Sequence, residues 1–388
     1  MLQTLSQNPY QNLVNCIYFG LYYSCIMPEI WLNYGNNDVV LDILAENLDE
    51  KPAFDSKTMD ESLINEKLEG IDLSKQIEIA LLNYTDSVQT ILTKIFEKCE
   101  NKSISKPKIL VDKRILPLVK SKNPEDASII EFEHDEITNS NLIFISEMEF
   151  DGLFGFETNS TRLTKRFGKS EMLDAFKKRN NDNPNPGQNL STIQVANNFV
   201  DSFDISSIEI ASNSNGMIDF SVGHPKSTMS LSNLFSKSCS QTLEPHKTFI
   251  LSTGKYASNQ TLSKSISTIW NYNSVVKNQG LVILLAECIN GLGSESFQQY
   301  IDGRLSVEKI KNASQYIDGM ENLLYLNEIQ KKMQVGLVSI LPEAYIKKLN
   351  IIPFDAVKKG MDYILKNQGV RQKVQIIEDG ARTILKKE

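Results

Sequence analysis

The chain has 388 residues, with 41 Lys and Arg, 48 Asp and Glu, and a formal net charge of −7. Its length fits two domains at roughly 100–200 residues each, and 41% hydrophobic against 23% charged residues suits globular domains with real cores. The excess of acids, with Lys and Arg scattered among them, excludes nucleic-acid binding by bulk electrostatics, which needs clustered cations.

Five cysteines, Cys16, Cys25, Cys99, Cys239 and Cys288, show no CxxC or zinc-ligand spacing. Such a dispersed, odd set reads as reduced thiols in a cytoplasmic protein. With three histidines, Asp and Glu would have to carry most metal ligation or acid–base work. The stretch Leu13–Met27 is apolar but too short for a membrane span. It lacks the basic flank and cleavage site of a signal peptide. No later stretch approaches 18 continuous apolar residues. We therefore expect residues 1–26 to be an extension, with the functional chain beginning near Met27; an N-terminal packing segment is the alternative.

In chain order, Glu29–Asp49 reads as two short strands around the turn Gly35-Asn36-Asn37-Asp38. Met59–Leu68 has helical spacing. Ile77–Asn83, Ser87–Lys102 and Lys108–Val111 make a βαβ unit, and Asn141–Met148 is a further buried strand. Glu157–Gln188 reads as irregular, rich in Asn, Lys and Arg and ending in Asn183-Pro184-Asn185-Pro186-Gly187, where alternate prolines rule out a helix. A helix follows over Ser191–Phe203. A hairpin follows it, with Ile208–Ser212 and Met217–Val222 around Asn213-Ser214-Asn215-Gly216. A Ser-rich helix and linker, Ser227–Thr242, leads to a domain boundary at Pro245.

Beyond it, strands at Thr248–Thr253, Leu281–Ala286, Val335–Leu341 and Val374–Glu378 alternate with helical patterns. These patterns cover Asn259–Tyr272, Ser294–Met333 (broken near Gly303) and Pro342–Gly369. The expectation is an α/β fold: an N-terminal α/β domain over 27–245 and a C-terminal α/β domain over 246–388 with a mostly parallel sheet, separated by a cleft.

Several segments, in order, resemble the nickel-dependent lactate racemase (LarA-like) family. The most specific is LVILLAECINGLGSESF, Leu281–Phe297, which matches a strand followed by A-E-C-x-x-G-x-G-S-E. Weaker matches are WLNYGNNDVVLDI, the turn Leu153-Phe154-Gly155-Phe156, Asn185-Pro186, and VQIIEDGARTI near the end. The resemblance implies two α/β domains around a cleft. It also implies racemisation of a 2-hydroxy acid such as lactate by a lysine-tethered nickel-pincer nucleotide, with histidines as bases and nickel ligand.

The chain departs from the family at the chemistry. None of His134, His224 and His246 falls at a catalytic histidine position. Asp151 stands where the family's P-H-x-F-A-G turn places one, and could supply at most a carboxylate. The tether lysine position reads Thr161; the segment with Arg162, Lys165, Arg166 and Lys169 reads first as a solvated basic loop, with Lys165 as the displaced lysine being the alternative. Of D-x-T-R only Thr85 survives, in Asn83-Tyr84-Thr85-Asp86. The next motif keeps neither its glutamine (Ser263) nor its lysine (Ile266); Lys264 lies about 200° away around a helix and does not simply substitute.

Other candidates follow from the residues alone. Ser252-Thr253-Gly254-Lys255 could present backbone N–H groups and Lys255 to an anion. Gly291, Gly293 and Ser294 open a helix at the carboxyl end of a strand, where ligands bind in this fold class. Cys288 reads as a core residue rather than a nucleophile, and the acidic run Glu131–Glu136 around His134 as a surface loop rather than a metal site. The reading is a divergent relative or a pseudoenzyme that binds a small anion or nucleotide in the cleft, with action on a 2-hydroxy acid by altered chemistry left open. The alternative is a non-catalytic ligand- or protein-binding module on the same fold. No nucleic-acid or membrane partner is expected, and the sequence leaves the oligomeric state open.

Overall fold

The computed structural model describes residues 28–49, 57–72, 77–133, 137, 141–179, 182–255 and 257–388. The expected N-terminal extension, and residues 134–136 of the acidic run, therefore fall outside the described residues. The chain opens with the hairpin β1 (Glu29–Tyr34) and β2 (Asn37–Asp42), then α1 (Glu61–Leu68) and β3 (Glu78–Leu81). Next come α2 (Asp86–Asn101), β4 (Lys108–Val111), α3 (Leu116–Lys122), β5 (Ile129–Glu131) and β6 (Leu142–Glu147). A small hairpin, β7 (Glu149–Asp151) and β8 (Gly155–Glu157), leads into α4 (Asn159–Phe167), α5 (Lys169–Arg179) and α6 (Ile193–Val200). Strands β9 (Ser206–Asn213) and β10 (Gly216–Gly223) close this half, followed by α7 (Leu231–Cys239) and β11 (Ser240–Thr242).

The first sheet has the order β10-β9-β6-β3-β4-β5. Only its β10–β9 pair is antiparallel; the other neighbours run parallel. The central strands are buried on both faces, as a parallel sheet under helices requires. Amphipathic α2 packs Val88, Ile91, Leu92 and Ile95 onto Ile79, Ile109 and Ile145.

The second half contains β12 (His246–Ser252), α8 (Ala257–Gln260), α9 (Leu262–Ile266), β13 (Val276–Leu285), α10 (Glu295–Ile301), α11 (Val307–Lys311) and α12 (Met320–Gln330). It continues with β14 (Met333–Val338), α13 (Glu343–Lys348), β15 (Ile352–Phe354), α14 (Val357–Gln368), β16 (Gln375–Ile377) and β17 (Ile384–Lys386). The second sheet, β15-β14-β13-β12-β16, is parallel throughout. The mixed α/β architecture with mostly parallel sheets is the expected one.

Three segments differ from the sequence expectation. Residues 159–179, read as irregular, form α4 and α5. The helical stretch after Pro342 is interrupted by β15, an edge strand whose Pro353 sits where a missing N–H is tolerated. The β1–β2 hairpin lies on the second sheet: Ile30, Leu32 and Leu41 pack against Ile250, Leu281 and Ile283. At the other end, β17 pairs in parallel with β11 and sends Ile384 into a cluster with Met148, Phe150 and Phe235.

A large apolar core joins the halves. Leu153, Phe154, Met172 and Phe176 of the first half bury against Phe249, Trp270, Tyr325 and Leu326 of the second.

Candidate functional site

The carboxyl ends of the parallel strands from both sheets meet at a buried cluster of charges. From the first half come Glu147 at the end of β6, Glu149 and Asp151 on β7, Glu157 ending β8, and Arg162 and Lys165 on α4. The second half contributes Lys264 on α9, and Asp379 and Arg382 after β16. Helix α4 exists because Thr158 caps it: its hydroxyl accepts from the Thr161 N–H, and Thr161 Oγ1 accepts from the Thr158 N–H at 2.8 Å. That reciprocal cap fixes the turn of helix from which Arg162 and Lys165 project.

Lys165 lies 2.6 Å from Asp151 and 3.2 Å from Glu157. Arg162 lies 2.7 Å from Glu149 and 3.4 Å from Glu157. Lys264 of the second half reaches Glu149 of the first at 2.6 Å and also pairs with Glu157. Arg382 makes a second crossing, 2.7 Å from Glu147, whose other oxygen accepts from Thr85 Oγ1 at 2.6 Å.

The electrostatics follow from this pairing. Burial works against the Lys165 ammonium, but Asp151, Glu157 and Glu321 outweigh it and hold its pKa well above that of an ordinary lysine. Burial likewise opposes ionisation of Glu149 and Glu157, yet Lys264, Arg162 and Lys165 keep both below the usual carboxylate range. Behind the cluster, burial pushes Glu209 up to about 8, against hydrogen bonds from the Asn159 N–H and Ser146. Burial also raises Glu321 to about 7, against the Lys165 charge, while Tyr316 donates to it at 2.8 Å.

Of the residues singled out from the sequence, Lys165 and Asp151 are brought together, and Thr85 joins the cluster through Glu147. Lys165 is on a helix and ion-paired, which corrects the reading of this segment as a solvated loop. The turn at Ser252–Lys255 does not present itself to an anion. A Cβ built at Gly254 would lie 2.5 Å from Asp379 Oδ1, so the glycine accommodates a carboxylate of the chain itself, and Lys255 is exposed. Gly291, Gly293 and Ser294 form the turn into α10, packed near Thr261 and Gly319 and not bonded to the charge cluster; Ser294 makes no side-chain cap.

Cys288 is buried, as a core residue should be, and burial raises its thiol to about 11. The described histidines lie elsewhere, His224 on the Phe203 carbonyl at 3.1 Å and His246 on Asp49 at 2.9 Å. Sequence reasoning missed Glu147, Glu149, Glu157, Lys264 and Arg382, whose partners are mostly distant in the chain.

Residues 243–385 match the family described as lactate racemase C-terminal domain. The C-terminal part of the chain is thus similar to that family over less than half of the full length. The fold of the whole chain is similar to that of the lactate racemase apoprotein from Thermoanaerobacterium thermosaccharolyticum, with a TM-score of 0.67 at 15% identity over 92% of this chain and 100% of that one. It is also similar to a protein from Thermotoga maritima, with a TM-score of 0.58 at 9% identity over 84% of this chain and 97% of that one. No curated protein matches the sequence.

The residues present do not fit a tethered nickel-pincer nucleotide. Tethering needs an available amine, and Lys165 is clamped between two carboxylates as an ammonium. Among the described residues, no three His, Cys, Asp or Glu side chains are grouped to hold a metal ion. The cavity beside Lys264, lined by Glu149, Phe150, Ser258 and Asn271, measures about 10 Å³, room for about one water.

Proposed function

We propose that this chain is a divergent LarA-like protein that binds a small anionic ligand between its domains without racemising it. The observation that carries the reading is the pairing of Lys165 with Asp151 and of Lys264 with Glu149, which brings cations from both domains onto the chain's own carboxylates. In this reading those carboxylates stand in for a ligand's anionic group, and a ligand enters by displacing them. Racemisation would need bases near neutral pKa on both faces of a substrate carbon. The imidazoles that serve well near pH 7 are not at this cluster among the described residues.

Intact mass, nickel content and chiral analysis of L-lactate test the proposal on protein co-expressed with the enzymes that make the nickel-pincer nucleotide. The expected result is an unmodified, nickel-free chain, no D-lactate, and a rise in melting temperature with lactate over equal chloride. A covalent adduct with stoichiometric nickel would overturn it. A melting temperature indifferent to lactate would favour the second reading, a protein-binding module. That reading is supported by Trp31, Ile289 and Ile340, each more than half exposed.

A further inference from the structure

At the opposite end of the second sheet, where its strands begin, a groove of about 360 Å³ lies between α12, α14 and the starts of β12, β13 and β14. We propose that this groove binds a phosphate-bearing small molecule. Its volume falls in the range of small-molecule sites, roughly 300–1,000 Å³. Its walls carry Lys247, Lys331 and Lys332 together with amides and the Tyr363 phenol, and no carboxylate, in a chain of net charge −7.

The backbone is shaped at this place. Between His246 and Thr248 the pairing of β12 with β13 slips, opposite Val276 and Leu281, leaving residues 277–280 as a bulge. Within it Gln279 adopts φ +59°, a left-handed conformation uncommon for a residue with a Cβ, and its N–H is held by the Lys332 carbonyl at 2.7 Å. Bulges re-aim side chains and gather next to functional sites, and Gln279 lines this groove.

The cations are also under-matched. Lys332 is half-buried and, among the described residues, its ammonium reaches only the Asn273 carbonyl, at 2.7 Å; burial draws its pKa below that of an ordinary lysine. Lys331 pairs with Glu328, which Lys311 shares, and among the described residues Lys247 has no ion-pair partner. A phosphate dianion would supply the missing countercharge through charge-assisted hydrogen bonds.

The test is isothermal titration of the full chain with inorganic phosphate and with AMP at fixed ionic strength. Saturable binding is expected, weakened at least tenfold in the Lys247→Gln/Lys332→Gln variant and unchanged in Lys113→Gln, an exposed lysine elsewhere. Tighter binding of AMP than of phosphate would identify a phosphate ester as the ligand class, and equal binding an inorganic anion; both uphold the site. Absence of saturable heat, or equal affinity in the double variant, would overturn it. If loss of the Lys332 bond impairs folding, Lys247→Gln alone carries the comparison, at threefold or more.

Discussion

Lys264 carries a charged contact between the two halves of the chain. It supplies the countercharge that Glu149 and Glu157 share, and both carboxylates are buried deeply enough that neither is well hydrated. Removing one partner of a buried pair costs about 3–5 kcal/mol; Lys264 keeps some solvent contact, which places Lys264→Met near the lower end, about 3 kcal/mol. A melting temperature lowered by several degrees is expected, with Lys264→Arg closer to the parent. An unchanged melting temperature in Lys264→Met would mean that the carboxylates are satisfied without it.

Glu209 makes a second prediction, in pH. Its folded-state pKa of about 8 lies above the ordinary value of about 4.3. The native state therefore holds a proton that the unfolded chain releases between those values. The stability this confers is complete below about pH 4.3 and is lost as pH rises through about 8. Glu321, near 7, acts in the same direction. Glu149 and Glu157 act oppositely: their contribution is present above the ordinary carboxyl pKa and is lost as pH falls through their depressed values. Melting temperature should be highest near about pH 5 and fall toward pH 8.5, and Glu209→Gln should flatten that alkaline fall. Parent and variant with the same alkaline slope would sink this account.

Among the elements, the turn into α10 offers a controlled comparison. Gly291 and Gly293 both have φ near +80°, so alanine strains the backbone at each. At Gly291 a Cβ would meet nothing within 4 Å, whereas at Gly293 it would run into the Thr261 side chain. Gly291→Ala should cost about 1 kcal/mol, and Gly293→Ala about 3 kcal/mol or more once the clash is added. Equal costs, measured by urea denaturation, would mean that the turn moves as a unit away from Thr261.

The two glycines also show what the sequence could reveal. Local signals were legible: glycines at strand ends, the Ser214-Asn215 turn, the alternation of strand and helix after His246. Helix α4 was not, because its inward side chains include the polar Ser160, Thr161 and Thr164, of which the two threonine hydroxyls are satisfied only by bonds within the helix and to its cap. The Thr158–Thr161 spacing was the available signal, weakened by a threonine where a capping box usually has Glu or Gln. The charge cluster was legible only at Asp151 and Lys165, close in sequence. Lys264 was set aside because it was measured around a long helix, but α9 has five residues, and its partners Glu149 and Glu157 are more than 100 positions away.

For the whole molecule, the ion pairs do not by themselves hold the halves together. Buried pairs specify geometry better than they add stability, and Leu153, Phe154 and Phe176 already sit in one core with Trp270 and Tyr325. Gly152 shows how close that approach is: a Cβ there would lie 3.0 Å from Trp270 and 3.1 Å from Tyr325. The β1–β2 hairpin and β17 tie the termini of the described chain into opposite halves, so neither half can unfold without exposing apolar surface of the other. Large apolar interfaces of this kind suppress independent domain motion. Calorimetry should therefore show one cooperative transition, and Phe154→Ala, which opens a cavity in the shared core at about 3–5 kcal/mol, should lower that transition without splitting it. Lys264→Met should also leave a single peak, because it disturbs the geometry of the boundary and not its apolar contact. Two resolved peaks in the parent would place the second cluster of buried residues, around α2 and β3, in a domain that melts on its own, and the charge cluster would then be what couples the halves.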